Sequence, residues 1–344
     1  MDISNLLEIA LEAGASDLHL SSGLPPILRI HGEMQTTTLP PLEQSQIKRL
    51  VYGIMSDRQI GEFEKNGEID LAWEICKRAR FRVNIFRQHR GITAVFRAIP
   101  INIPTLAELG LGGIYQKMTS KPRGLVLITG ASGSGKSTTL AAMIKHINDN
   151  SRKHIITLED PIEYVHTSNK SLVNQRQIGQ HAVSFDSALK SAMREDPDII
   201  MIGEMRDLDT VRMALAAAET GHLVLATLHT CGAATSINRI IEMFPAEERQ
   251  LVRSMLADSL QGVASQTLLQ RKSGGRVVAS EIMIATSAIK NLIRSDRVAE
   301  IYSALQTGAA SGMTTMDQSL SRLAGKGVVS RDFSIDAVST LKAS

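Results

Sequence analysis

The chain has 344 residues, 43% of them apolar and 21% charged, with a formal net charge of +3. That length suggests two or three domains. The composition excludes a disordered, charge-dominated chain, and so mild a positive balance does not mark a nucleic-acid binder. Two cysteines, Cys76 and Cys231, lie far apart without ligand spacing, so neither a disulfide framework nor a zinc site is expected, and a reducing compartment fits. The opening Met1-Asp-Ile-Ser-Asn lacks the basic and apolar regions of a signal peptide, and no apolar run approaches the ~20 residues of a membrane span. A cytoplasmic location is expected, with any membrane role exerted through partners.

Residues 2–13 place Ile3, Leu6, Leu7, Ala10 and Leu11 on one helical face, ending at Gly14. Ser16 to Leu20 alternates as a strand, and a second strand follows the prolines at 25–26. Ile47, Leu50, Val51 and Ile54 form another helical stripe; 69–75 reads as a strand. Phe81, Val83 and Ile85 alternate with polar residues, His89-Arg90-Gly91 turns, and 92–99 runs back as a hairpin. Residues 1–100 therefore read as a small α+β domain. Pro100 to Pro104 punctuates the chain, and 101–111 is read as a hinge.

From there the pattern changes. Strands at 125–129, 155–159, 198–203 and 222–228 alternate with helical stretches, the signature of a parallel α/β core over 112–344. The final third reads as mostly helical, with a hairpin around Ser273-Gly-Gly275.

Leu125-Val-Leu-Ile-Thr, then Gly130-Ala131-Ser132-Gly133-Ser134-Gly135-Lys136-Ser137-Thr138, is a phosphate loop in its proper setting of strand, glycine-rich turn and helix. The glycines let backbone N–H groups converge, and the helix start adds partial positive charge. Lys136 suits the β- and γ-phosphates of ATP, and the Ser137 hydroxyl suits Mg2+. Glu159 ends a buried strand, where ligands sit in open parallel sheets, and is a candidate to orient or deprotonate the attacking water. Asp198 to Glu204 reads as a Walker B strand ending in Gly-Glu. Glu204 is the other candidate base and a candidate for the metal shell; the division of work between the two carboxylates is left open. Thr220 to Thr230 carries His222 and His229 at the two ends of a strand. They stand seven positions apart, which argues against a metal pair; His229 leaves the strand where a γ-phosphate would lie and is a candidate sensor of it, with His222 the weaker candidate.

Arg82, Arg87, Arg90 and Arg97 make the first-domain hairpin basic. Nucleic-acid contact, a solvated sheet edge, and arginines closing over the triphosphate all fit. Aromatic residues are only 3%, which leaves little stacking surface and favours the last.

At this point the chain resembles the type IV pilus retraction ATPases of the secretion ATPase superfamily, nearly end to end. The resemblance rests on the Ala15-Ser-Asp-Leu-His-Leu opening, the phosphate loop, Thr157 to Glu163, Arg194 to Asp207 and Thr220 to Thr230. Ala288-Ile-Lys-Asn-Leu-Ile-Arg294 is similar to the family's retraction motif, with Lys290 for an arginine and Ser295 for the final glutamate. The charge at 290 survives, but the fork-shaped donor is lost. Extension and type II secretion ATPases carry a four-cysteine insertion after the stretch matching Ser265 to Leu269, and here none follows. The accessory retraction paralogue, PilU, lacks a close match to 288–294.

The resemblance implies a homohexamer with a PAS-like N-terminal domain and a RecA-like motor. It implies Glu159 and Glu204 in hydrolysis, His229 as sensor, and Arg82 and Arg97 on phosphate. It also implies an inner-membrane platform protein as partner, with the accessory ATPase PilU as another. A RecA-like nucleic-acid translocase is the alternative from a different class, although no nucleic acid is expected.

Overall fold

The computed structural model describes residues 2–30, 32–75, 79–99 and 102–330. Cys76, Pro100, Ile101 and the stretch 331–344 lie outside them. The chain divides into two compact units, Met1–Asn102 with Pro161–Val165, and Ile103–Asp160 with His166–Ser344.

The first unit runs α1 (Ile3–Glu12), β1 (Asp17–Ser21), β2 (Ile27–Ile30), β3 (Glu33–Thr36), α2 (Gln44–Tyr52), α3 (Asp57–Asn66), β4 (Glu68–Ile75), β5 (Ala79–Gln88) and β6 (Gly91–Ile99). Its strands form one sheet in the order β3-β2-β1-β6-β5-β4. Every neighbouring pair is antiparallel. The Asp2 carboxylate caps α1, which buries Ile3, Leu6, Leu7 and Ala10. Along β5, Ala79, Phe81, Val83 and Ile85 are buried and the alternate residues are not, as a sheet with one face on the core demands. Ser56 and Gln59 form a capping box at the start of α3, and Gly67 ends it in the left-handed conformation. That helix and β3 were not read from the pattern. In α3 only Phe63 is buried, and in β3 all four residues are exposed, so neither carries an apolar stripe.

The second unit runs α4 (Gly113–Thr119), β7 (Gly124–Thr129), α5 (Lys136–Asn150), β8 (His154–Glu159), β9 (Leu172–Gln177), α6 (Phe185–Ala192), β10 (Ile199–Ile202), α7 (Leu208–Glu219), β11 (Leu223–Leu228), α8 (Ala233–Glu242), α9 (Arg249–Ser259), β12 (Leu260–Gln270), β13 (Arg276–Ile284), α10 (Ser287–Arg294), α11 (Ile301–Thr307) and α12 (Met316–Gly325). The strand order is β13-β12-β7-β11-β10-β8-β9. All pairings are parallel except β12 with β13.

Burial on both faces explains the unbroken apolar runs. In β7, Leu125 and Leu127 pack into one core, with Val211, Leu215 and Ile237. Val126 and Ile128 point into the other, with Leu140, Met143 and Ile144 of α5. This is the expected RecA-like α/β motor. Residues 103–111, read as a hinge, belong to this unit: Leu106 and Leu111 are buried with Tyr115 and Met118.

The expected hairpin is present, but it is far longer than the turn suggested. β12 supplies eleven residues and β13 nine, inside the third read as mostly helical. Gln261, Ser265, Gln266 and Thr267 break the apolar alternation of β12, so its sequence has no strand-like period. Ser265 and Gln266 are nevertheless buried, because the fold supplies them with partners.

Candidate active site

The carboxyl edge of the parallel sheet gathers the phosphate loop, Glu159, Glu204 and His229. Thr129, the last residue of β7, lies in register with Leu228 of β11 and with Ser265 of β12. Between Thr129 and α5 runs the phosphate loop. Gly130 has φ +140° and packs against the Gln266 carbonyl so closely that a Cβ there would sit 2.3 Å from its oxygen. Gly135, at φ +91°, precedes α5, and no side chain caps the helix start. An uncapped, fifteen-residue helix aimed at a glycine-rich turn is an anion site.

The Lys136 ammonium is buried and donates to the Gly130 and Ala131 carbonyls, at 2.7 and 2.9 Å. The Ser134 hydroxyl is buried without a hydrogen-bond partner. An orphaned hydroxyl and a lysine folded onto its own loop fit a polyphosphate that would take both donors. Ser137 lies exposed in the first turn of α5.

Neighbouring strand ends bring in the acids. Glu159 closes β8 and is buried; its Oε1 accepts from Thr157 Oγ1 at 2.7 Å and from Gln175 Nε2 at 3.0 Å. Gly203 packs against it: a Cβ on Gly203 would lie 3.2 Å from the Leu158 carbonyl and 3.4 Å from Glu159 Cα. The missing side chain lets the two acidic strand ends approach. Glu204 follows, with one oxygen on each of two partners: His229 Nε2 at 3.0 Å from Oε1 and Arg206 at 2.8 Å from Oε2. Burial pushes the Glu204 carboxyl up, but the hydrogen bond from Arg206, with the charges of His229 and Arg206, outweighs it and holds the group below its ordinary value. Arg206 is in turn raised by its hydrogen bond to Glu204.

His229 leaves the carboxyl end of β11, as expected. His222 sits at the opposite end of the strand, where its ring nitrogen lies 3.0 Å from the Ala217 carbonyl and its own carbonyl accepts from Gly124 N–H. Within one chain, therefore, the fold separates the two histidines and brings only His229 to Glu204.

Arg82 and Arg97 belong to the first unit, where they are directly opposed across β5 and β6. Arg97 donates through Nε to Asp17 at 2.8 Å, and Arg29 lies 3.9 Å from the same carboxylate. Asp17 is buried; burial raises its carboxyl, and hydrogen bonds from Arg97 and Ser16 pull it below the usual value. Arg82 lies 3.7 Å from Asp70 and 3.9 Å from Glu163.

Sequence reasoning missed Arg206, Gln175 and Gln266. Arg206 could have been found, since it lies two residues past Glu204 on the same loop. Gln266 carried no signal: its side chain bonds Thr139 Oγ1 of α5 at 3.1 Å and Tyr115 OH at 3.2 Å, partners far away in sequence. Among the described residues, no group of three or more His, Cys, Asp or Glu could hold a metal ion.

A family model described as type II/IV secretion system protein matches residues 1–274. The chain belongs to that family. It is 56% identical over 332 residues to the type IV pilus retraction ATPase PilT of Pseudomonas aeruginosa, covering 96% of each chain. It is 52% identical to a twitching motility protein of Neisseria gonorrhoeae, over 88% of this chain and 82% of that one. The crystal structure of the pilus retraction motor PilT with bound ADP superposes with a TM-score of 0.91 at 43% identity, over 98% of this chain and 97% of that one. The chain is thus a P-loop ATPase of the pilus retraction branch, as the motifs implied. Among the described residues no helix is long and apolar enough to cross a membrane.

Proposed function

We propose that the chain is an ATP-hydrolysing hexameric motor that powers type IV pilus retraction, and with it twitching motility. The observation that carries the reading is Glu204, suspended between His229 and Arg206 at the sheet edge that also presents Lys136 and Glu159.

The Lys136 ammonium leaves the Gly130 and Ala131 carbonyls for the β- and γ-phosphates, and the loop amides with the Ser134 hydroxyl take the remaining oxygens. Ser137 and Glu204 would hold Mg2+, whose charge offsets that of the phosphates. Glu159 and Glu204 accept hydrogen bonds from the attacking water and orient it. Glu204, held ionised by Arg206 and His229, is the acceptor at near-neutral pH, while Glu159 is fixed by Thr157 and Gln175. His229 reads the γ-phosphate and passes its presence to Glu204 through their shared hydrogen bond. Arg82 and Arg97 supply guanidinium groups to the phosphates; one such group is worth about 10³–10⁵ in rate.

Turnover then drives rearrangement around a ring of six copies. The ring acts from the cytoplasm, at the inner membrane, on a pilus platform protein, alongside the accessory ATPase PilU and without nucleic acid.

Phosphate release by the purified protein tests the site: Lys136→Ala is expected to abolish it, and wild-type turnover in that variant refutes the assignment. Imaging of pili in cells carrying Glu204→Ala tests the biology. Long, unretracted pili are expected; unchanged or absent pili, or turnover stimulated by single-stranded DNA with steep salt dependence, would point to another system.

A further inference from the structure

The loop that carries His229 is anchored by two side chains to which the sequence reading gave no role. Ser265 on β12 and Glu281 on β13 are direct partners across the antiparallel hairpin. The pleat therefore presents both on one face. They are 2% and 7% exposed. Both reach the start of α8. The Gly232 N–H donates to Ser265 Oγ at 2.8 Å, and the Ala233 N–H donates to Glu281 Oε1 at 2.8 Å.

α8 opens on Gly232, at φ +97°, and no side chain of its own caps it. The hairpin supplies the missing cap from a distant stretch of chain. A carboxylate is also the favourable charge at a helix N-terminus, and a buried amide-to-carboxylate bond is charge-assisted. The other end of the loop is tied down as well. Thr230 Oγ1 lies 2.7 Å from Ser236 Oγ, which lies 3.2 Å from Oγ1 of Thr129, the last residue of β7. Only Thr230 and Cys231 separate His229 from the anchored Gly232, so the imidazole has little slack. The same hairpin braces the phosphate-loop helix through the bond from Gln266 to Thr139.

We infer that Glu281, assisted by Ser265, is a positioning residue for ATP hydrolysis: it fixes the segment from His229 to Gly232 so that the imidazole stays on Glu204. The inference rests on the reading that Glu204 and His229 serve hydrolysis. Glu281 itself touches neither the phosphate loop nor Glu204 through any hydrogen bond or ion pair described above; it acts through the backbone of the loop.

Steady-state ATP hydrolysis by the full-length chain, in Glu281→Ala, Glu281→Gln, Ser265→Ala and His229→Ala, tests it. Losing a charge-assisted bond to a buried carboxylate should lower kcat of Glu281→Ala about ten- to a hundred-fold. KM for ATP should change less than about threefold, because the phosphate loop is untouched. Glu281→Gln keeps a carbonyl acceptor for the Ala233 N–H and should recover most of kcat. A general loosening of the fold would instead move kcat and KM together and would not distinguish Gln from Ala.

Wild-type kcat in Glu281→Ala, alongside a defective His229→Ala, overturns the inference while leaving the ATPase reading intact. So does a Glu281→Gln variant no better than Glu281→Ala. If Glu281→Ala does not fold, Ser265→Ala decides: a several-fold lower kcat at unchanged KM supports the inference, and wild-type kcat refutes it. Wild-type turnover in His229→Ala sinks the reading of His229 and this inference with it.

Discussion

Gly130→Ala and Gly133→Ala are the same chemical change, three residues apart on one loop, yet the structure assigns them different consequences. At Gly133 a Cβ meets nothing within 4 Å, and the only penalty is φ +77°. A left-handed alanine there costs about 1–2 kcal/mol. At Gly130 the backbone sits at φ +140°, and the Cβ would lie 2.3 Å from the Gln266 carbonyl and 2.6 Å from Ser134 Oγ. The nearest atom belongs to the backbone of β12, which is hydrogen-bonded on both edges and cannot swing aside. Strain of about 1–3 kcal/mol adds to overpacking of about 1–3 kcal/mol, for a total of about 4 kcal/mol. The gap between the variants is then about 2–3 kcal/mol, or about 4–12 °C in Tm for a unit of this size. Differential scanning calorimetry of the nucleotide-free protein reads it directly. Equal melting temperatures for the two variants would refute the close approach of β12 to the loop. A Gly130→Ala protein more stable than Gly133→Ala would refute it more strongly.

Two further outcomes follow from charge. Arg206→Ala removes the donor that does most to hold Glu204 below its ordinary value, so the acid limb of the pH–kcat profile should move to higher pH; an unmoved limb would mean that Glu204 does not titrate in the rate-limiting step. Burial, with Lys145 adding to it, pushes the His166 imidazole down from 6.5 to about 4. The unfolded chain takes up that proton while the native protein does not, so stability falls as pH drops from 6.5 towards 4, by up to about 3 kcal/mol. Urea unfolding across that range should show the loss in the wild type and a flatter profile in His166→Gln; parallel profiles would assign the acid sensitivity elsewhere.

The motor's chemistry was legible because it is written in consecutive residues. Strand, turn and helix follow one another through Leu125 to Thr138, and the ends of β8, β10 and β11 announce themselves as apolar runs closing on Glu159, Glu204 and His229. Where the period vanished, so did the reading. β12 mixes glutamine, glycine and serine among its apolar residues. β9 is an edge strand whose exposed Leu172 and polar Asn174 and Gln175 follow no alternation that a core would impose.

His222 and His229 already read as the two ends of one strand, but only the structure shows that the His229 end is the one that meets Glu204. Asp17 and Arg97 are 80 positions apart and meet because β1 pairs with β6.

By itself, then, the order of residues determined a phosphate-binding ATPase core behind a small α+β unit, because backbone geometry and apolar periodicity are local properties. Only the tertiary structure decided which acid meets which base, and which hairpin steadies the histidine loop. Those contacts join residues distant along the chain, and nothing in either partner's own neighbourhood encodes the other.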